Sequence, residues 1–301
     1  MNLVKKYQVG GHCFSLTNTN ELIGLYKFKE AYGPFEVSHT AENSLFRLSI
    51  CKRNVDVKKS LIYSNKERLQ EGFIAISIYE TNENSMYIEL RHPKSVENNA
   101  CLSLNADFSE AELWLGGHSS EQWSCFNAAV QLCYILTSSQ LQTLLMHSSA
   151  VIYGERAYLF LGKSGTGKST HSRMWMNAID KVILMNDDHP IIRVWPDGRV
   201  MAYGSPWSGK THCYKNIQAP LGGIVRIVRA KQNKVVRLSG IQSYASIISS
   251  CSGITWMKEL ADGRDAAIQS IVSRVPCWNM ECLPNEEAAQ MCCEVVTKTS
   301  I

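Results

Sequence analysis

The sequence predicts a mixed α/β protein, α+β-like in character, with a smaller β-rich domain over residues 1–142 followed by a mixed-sheet domain over residues 143–301. Three observations lead there. Short apolar segments separated by turn formers fill the first 115 residues, a helical apolar period takes over at Ser119, and a hairpin, a glycine-rich loop, a helix and a strand follow one another from His147 onward. A chain of 301 residues is long enough to bury two cores.

In chain order, Cys13 to Leu16, Leu45 to Cys51, Phe73 to Tyr79, Met86 to Leu90 and Ala111 to Leu115 read as strands. Thr81-Asn82-Glu83-Asn84-Ser85 supplies turn chemistry for an antiparallel hairpin between the third and fourth of these. Ser119 and Gln122 have the spacing of a capping box. Trp123, Phe126, Val130, Cys133, Tyr134 and Leu141 recur behind them at three- and four-residue steps, which predicts a helix joining the two domains. Two apolar runs, His147 to Ile152 and Ala157 to Leu161, flank Tyr153-Gly154-Glu155-Arg156 and predict a second hairpin. The strand that runs into Gly162 therefore gains an antiparallel neighbour. A helix from about Ser169 to Ile179 and a strand from Lys181 to Met185 come next. Strands at Pro220 to Val228 and Lys234 to Leu238, a helix at Ile241 to Ser250 and a helix start at Pro284 close the chain.

Composition narrows the function classes. Apolar residues make up 45% and charged residues 19%, a globular balance, and a net charge of +4 is spread over the chain in short clusters such as Lys58-Lys59. Nucleic-acid binders concentrate their Lys and Arg, so a nucleic-acid partner is not expected. Eleven cysteines form an odd count with no apolar leader before them, which predicts reduced thiols and a cytoplasmic setting. Cys277 with Cys282 and Cys292 with Cys293 lack zinc-site spacing and read as structural thiols. The longest apolar stretch, Ala128 to Leu145, is broken by polar residues, so no membrane span is expected.

The chemistry concentrates in Gly162-Lys163-Ser164-Gly165-Thr166-Gly167-Lys168-Ser169-Thr170, which satisfies G-x-x-x-x-G-K-[ST], the ATP-binding phosphate loop. Its glycines free the backbone to turn N–H groups toward phosphate oxygens. Lys168 reaches the β and γ phosphates, and Ser169 offers a hydroxyl to Mg²⁺. The helix that begins there directs its positive end at the same anion. Nineteen positions beyond Lys168 the next strand ends in Asp187-Asp188. One carboxylate can hold Mg²⁺ while the other takes a proton from an attacking hydroxyl, which are the two tasks phosphoryl transfer needs beyond charge neutralisation. A third element, Tyr203-Gly204-Ser205-Pro206-Trp207-Ser208-Gly209-Lys210-Thr211, cannot be a regular element and is a candidate substrate loop, with Trp207 as a pocket wall and Lys210 as a phosphoryl contact. Arg226 and Arg229 are candidate phosphate clamps.

His147, the hairpin, the phosphate loop, its helix and the Asp-Asp pair together resemble the catalytic domain of the bacterial HPr kinase/phosphorylases, which share a fold with ATP-dependent phosphoenolpyruvate carboxykinase. The resemblance spans about residues 143 to 301. It implies a phosphoenolpyruvate-carboxykinase/HPr-kinase-type phosphate-loop domain, with His147 as an active-site histidine, Lys168 as the phosphate lysine, Ser169 as a metal ligand, Asp188 as the catalytic base and Asp187 as its metal-side or hydrogen-bonding neighbour. HPr kinases carry an Arg-Gly-Leu-Gly stretch and a nearby metal-binding Glu where this chain has Tyr203 to Thr211. Their absence argues against HPr as the substrate.

The expectation that follows is an ATP- and Mg²⁺-dependent kinase acting on a hydroxyl of a peptide, protein or small molecule, and a homo-oligomer is compatible with it. The alternative is a non-catalytic ATP-binding regulatory or assembly module. Carboxykinase chemistry lacks a second metal-binding His and Lys cluster.

Overall fold

The computed structural model describes the chain except residues 1–3, 22–24, 39–42, 53–56, 67–72, 82–84, 210 and 299–301. It divides into two compact units, residues 1–138 and 139–301, four residues before the expected boundary. The architecture is mixed α/β, with two mixed sheets and six α-helices among the described residues.

The first unit holds one sheet. Its strands are β1 (Val4–Val9), β2 (His12–Thr17), β3 (Glu36–Val37), β4 (Arg47–Cys51), β5 (Lys59–Ser64), β6 (Ala75–Thr81), β7 (Met86–Arg91), β8 (Ala100–Leu104) and β9 (Glu110–Leu115). They lie in the order β3-β1-β2-β4-β9-β8-β7-β6-β5, and β4 pairs in parallel with both β2 and β9. Helices α1 (Leu25–Tyr32) and α2 (Ser119–Ser138) complete the unit. Phe14, Phe46, Tyr32 and Phe126 are fully buried, and the Phe14 and Phe46 rings stack at 5.0 Å. The Tyr134 hydroxyl of α2 donates to the Val9 carbonyl at 2.9 Å.

Two expectations for α2 need correction. Its cap sits one residue earlier: the Glu121 carboxylate accepts the backbone N–H of His118 at 3.1 Å, so a Glu three residues into the helix closes it where Gln122 was expected to. Leu141 lies beyond the last turn at Ser138 and is 42% exposed, so it takes no part in the helix face. The turn at Asn82-Glu83-Asn84 lies outside the described residues, although the β6–β7 hairpin it was expected to close is formed.

The second unit positions the Gly162–Thr170 loop. Its strands are β10 (Thr143–Met146), β11 (Ser149–Tyr153), β12 (Arg156–Leu161), β13 (Ile183–Asn186), β14 (Ile191–Val194), β15 (Val200–Tyr203), β16 (Gln218–Arg229), β17 (Lys234–Arg237), β18 (Cys251–Ser252) and β19 (Cys277–Cys282). Its helices are α3 (Lys168–Ala178), α4 (Gly240–Ile248), α5 (Lys258–Val272) and α6 (Glu286–Lys298). β11 and β12 form an antiparallel hairpin whose two central residues, Gly154 and Glu155, both have positive φ, the backbone of a two-residue turn that follows strand twist. On its other side β12 pairs in parallel with β16, which pairs in parallel with β19.

Side chains along β12 alternate between two cores. Ala157, Leu159 and Leu161 join one that α4 and α5 cover through Ile247, Ile268 and Ile271. Tyr158 and Phe160 join the other, which α3 and α6 cover through Trp175, Cys292 and Val296. A strand buried on both faces reads as an unbroken apolar run, as Ala-Tyr-Leu-Phe-Leu does here.

Two chain segments break from one strand to the next at the same level. β10 passes through His147 and Ser148 into β11, and β13 passes through Asp187, Asp188, His189 and Pro190 into β14. β10 pairs antiparallel with β14, and β11 with β13. Bridging the breaks, Met146 N–H donates to Pro190 O at 3.1 Å and Ser148 N–H to Asp188 O at 2.9 Å. His147 therefore sits in the break before β11, not within it, and faces the acidic pair.

Candidate active site

The loop after β12 turns on glycines. Gly162, Gly165 and Gly167 have φ of 152°, 77° and 109°. A Cβ on Gly162 would stand 2.6 Å from the Thr166 hydroxyl and 3.1 Å from the Ile227 carbonyl, so an L side chain there meets both strain and a clash. Gly167 is the residue from which α3 starts, leaving the first-turn N–H groups at the loop. Lys163, Ser164 and Gly165 are exposed, and Thr166, Gly167, Ser169 and Thr170 are half-buried.

Lys168 is turned inward and only 8% exposed. Its ammonium donates to the Gly162 carbonyl at 3.0 Å and lies 3.0 Å from Nε2 of His147. Burial pushes its pKa down, while the Asp188 and Asp187 carboxylates pull it back up. The other imidazole nitrogen, His147 Nδ1, stands 3.2 Å from Asp188 Oδ1, and His189 Nδ1 stands 3.0 Å from Asp188 Oδ2. Burial works to raise the Asp188 pKa, yet the two imidazoles hold the carboxyl well below the usual carboxylate range. His189 Nδ1 is buried at this contact.

Asp187 points the other way. It is 7% exposed, and its Oδ1 accepts from the Ser149 hydroxyl at 2.9 Å, which also contacts the Ser172 hydroxyl of α3 at 2.6 Å. Asp187 is thus tied to the second turn of α3, the helix that carries Ser169. Hydroxyl and carboxylate oxygens suit Mg²⁺, a hard cation.

Asn186 organises the turn between the strands. Its Oδ1 accepts the backbone N–H groups of Asp188 and His189, both at 2.9 Å, and its Nδ2 donates to Ser205 O and Trp207 O. The loop from Tyr203 to Thr211 is in this way fastened to the acidic turn. A Cβ on Gly209 would stand 3.4 Å from Asp188 Cβ. Trp207 is 3% exposed, which makes it packing for this turn and leaves no open ring face to wall a pocket. Lys210 lies outside the described residues.

Of the two arginines, Arg226 is exposed on β16. Arg229 grips the Gly162–Thr170 loop itself, donating to the Thr166 carbonyl at 3.3 Å and to the Gly165 carbonyl. It clamps the loop backbone. Beside it is a cavity of about 320 Å³, lined by Thr170, His171, Met174, Ile227, Arg229 and Leu283 among others.

The structure gathers His147, Lys168, Asp187 and Asp188, separated by up to 41 positions in sequence, into one cluster. Three participants escaped the sequence reading. His189 directly follows the acidic pair, and its position there was the available signal. Asn186 and Ser149 carry no motif, and only the strand pairing puts them at the site. His147, Asp188 and His189 have ligand atoms within 4.8 Å of one another, a metal-like spacing. An ammonium can only donate, however, so with Lys168 on Nε2 the His147 proton sits on Nδ1 and no lone pair faces Asp188.

No protein-family model matches this chain, and no curated protein matches it. Among the described residues no helix is long and apolar enough to cross a membrane. None of the eleven cysteines is in a disulfide, and nine of them are buried.

Proposed function

We propose that the chain is an ATP- and Mg²⁺-dependent phosphotransferase that moves a γ-phosphoryl group to a hydroxyl of a peptide, protein or small molecule, in the cytoplasm, on a phosphoenolpyruvate-carboxykinase/HPr-kinase-type phosphate-loop domain. The observation that carries this reading is the convergence on Lys168. A strand–loop–helix turn with three positive-φ glycines presents this lysine and a helix N-terminus to one point, and His147 and Asp188 stand directly behind it. The antiparallel β11 beside the loop strand supports the same fold assignment, since doubly wound nucleotide folds feed this loop from parallel neighbours.

In this reading the loop N–H groups and Lys168 hold the phosphates, and Ser169 and Asp187 hold the Mg²⁺, which supplies charge neutralisation when bound. The cavity beside Thr170, His171 and Met174 adjoins the loop and is large enough for a nucleobase. The non-catalytic ATP-binding module uses the loop equally well but leaves the His147–Asp188 pair without a task.

The test is Mg·ATP binding followed by calorimetry. Wild type should bind, and Lys168→Ala should lose at least about tenfold in affinity, the worth of one charge-assisted contact. Equal affinity in both would remove the phosphate-loop reading.

A further inference from the structure

The Lys168–His147–Asp188 contacts define a proton path. Lys168 cannot accept a hydrogen bond, so its 3.0 Å approach to His147 Nε2 requires a lone pair on that nitrogen. A neutral imidazole with an acceptor at Nε2 carries its proton on Nδ1, which faces Asp188 Oδ1 at 3.2 Å. A carboxylate behind Nδ1–H, with the lone pair kept on the opposite nitrogen, is the arrangement that fixes tautomer and orientation in an imidazole base. Asp188 has its two oxygens against two imidazole nitrogens, at 3.2 and 3.0 Å. His147 has a side chain 32% exposed and can be reached by a substrate.

We infer that His147 Nε2, and not Asp188, takes the proton from the acceptor hydroxyl, and that Lys168 masks this lone pair until a nucleotide phosphate draws the ammonium away. The inference rests on the phosphotransferase reading. The acceptor O–H breaks as its proton passes to Nε2. The oxygen pair then bonds to the γ phosphorus, and the bond from that phosphorus to the β–γ bridging oxygen breaks with its electrons staying on ADP. Asp188 is a positioning residue acting through His147, and His189 braces the far oxygen of Asp188. The charged groups facing His147 are Lys168 from α3 and Asp188 and His189 from the β13–β14 turn, with Asp187 adjoining them.

Imidazole ¹⁵N NMR of the full chain, with His147 assigned by its loss in His147→Gln, reads this directly. The free protein should show His147 as the Nδ1–H tautomer. The non-hydrolysable Mg·AMP-PNP should move the His147 Nε2 resonance as the ammonium leaves it, and Lys168→Ala should move it without nucleotide. Asp188→Asn should populate the Nε2–H tautomer, which a merely structural carboxylate would not control. An Nε2–H tautomer in the free wild type, or an Nε2 resonance unmoved in Lys168→Ala, overturns the inference. So does Zn²⁺ or Mn²⁺ binding that shifts Nδ1 of both His147 and His189, because that would make the trio a metal centre. Calorimetry on the same samples separates the two claims. Absence of AMP-PNP binding sinks the phosphotransferase reading, with Lys168→Ala still deciding the proton path, whereas binding with an unmoved His147 sinks the proton path alone.

Discussion

Trp175 Nε1 donates to His171 Nε2 at 3.2 Å in the first turns of α3, and burial pushes the His171 pKa down to about 4. An unfolded histidine titrates near 6.5, so in the interval between those values the unfolded chain takes up a proton that the native chain refuses. Stability contributed by neutral His171 is full above pH 6.5 and is lost as pH falls toward 4, by about 2 kcal/mol at pH 5. Urea unfolding from pH 7 to pH 5 should show that fall, and His171→Gln should flatten it. An unchanged acid slope in the variant would show that His171 is not the group responsible. At this scale the sequence was most informative where chemistry is local. Gly162, Gly167, Lys168 and Ser169 declare a glycine turn and a helix start through spacing, because loop backbone and helix start are set within nine residues. Ser149 does not declare its role, since that comes from Asp187, 38 positions away, which reaches it only through folding.

Helix α3 carries the lysine, and what fixes α3 is Trp175. The indole is fully buried among the rings of Tyr153, Tyr158 and Phe160. Trp175→Ala should cost about 3 to 5 kcal/mol, read as a lowered denaturation midpoint. A loss under about 1 kcal/mol would mean that the helix is anchored elsewhere. The hairpin before the loop and the strand after the helix were both legible, because β11, β12 and β13 are compact apolar runs bounded by turn residues. β14, β15, β19 and α5 were not. Ile191–Val194 and Val200–Tyr203 are four-residue runs too short to show a period, and Cys277–Cys282 mixes Asn and Glu into a strand that β16 and β17 sandwich. In the first unit β5 pairs only through β6 and leaves Leu61 and Ile62 exposed, so it lacks the one-sided burial that makes a strand readable.

Over the whole molecule, the thiols report on the cores. Burial pushes the Cys251 and Cys125 thiols up to about 12 and those of Cys277 and Cys293 up to about 11, and it raises Cys133 and Cys292 further. A thiol reagent applied to the native protein at pH 8 should therefore reach at most the two half-buried cysteines, Cys51 and Cys251, and all eleven only after denaturation. Rapid reaction of five or more would show that the cores open readily. The central claim concerns how the second unit is used: strands that break at one level bring His147 and the acidic pair behind a phosphate-loop lysine. Calorimetric titration of Mg·ATP into wild type and Lys168→Ala measures it most directly. Saturable one-to-one binding in wild type and its loss in the variant is the predicted result. No heat of binding in wild type, or the same affinity in both, would contradict it.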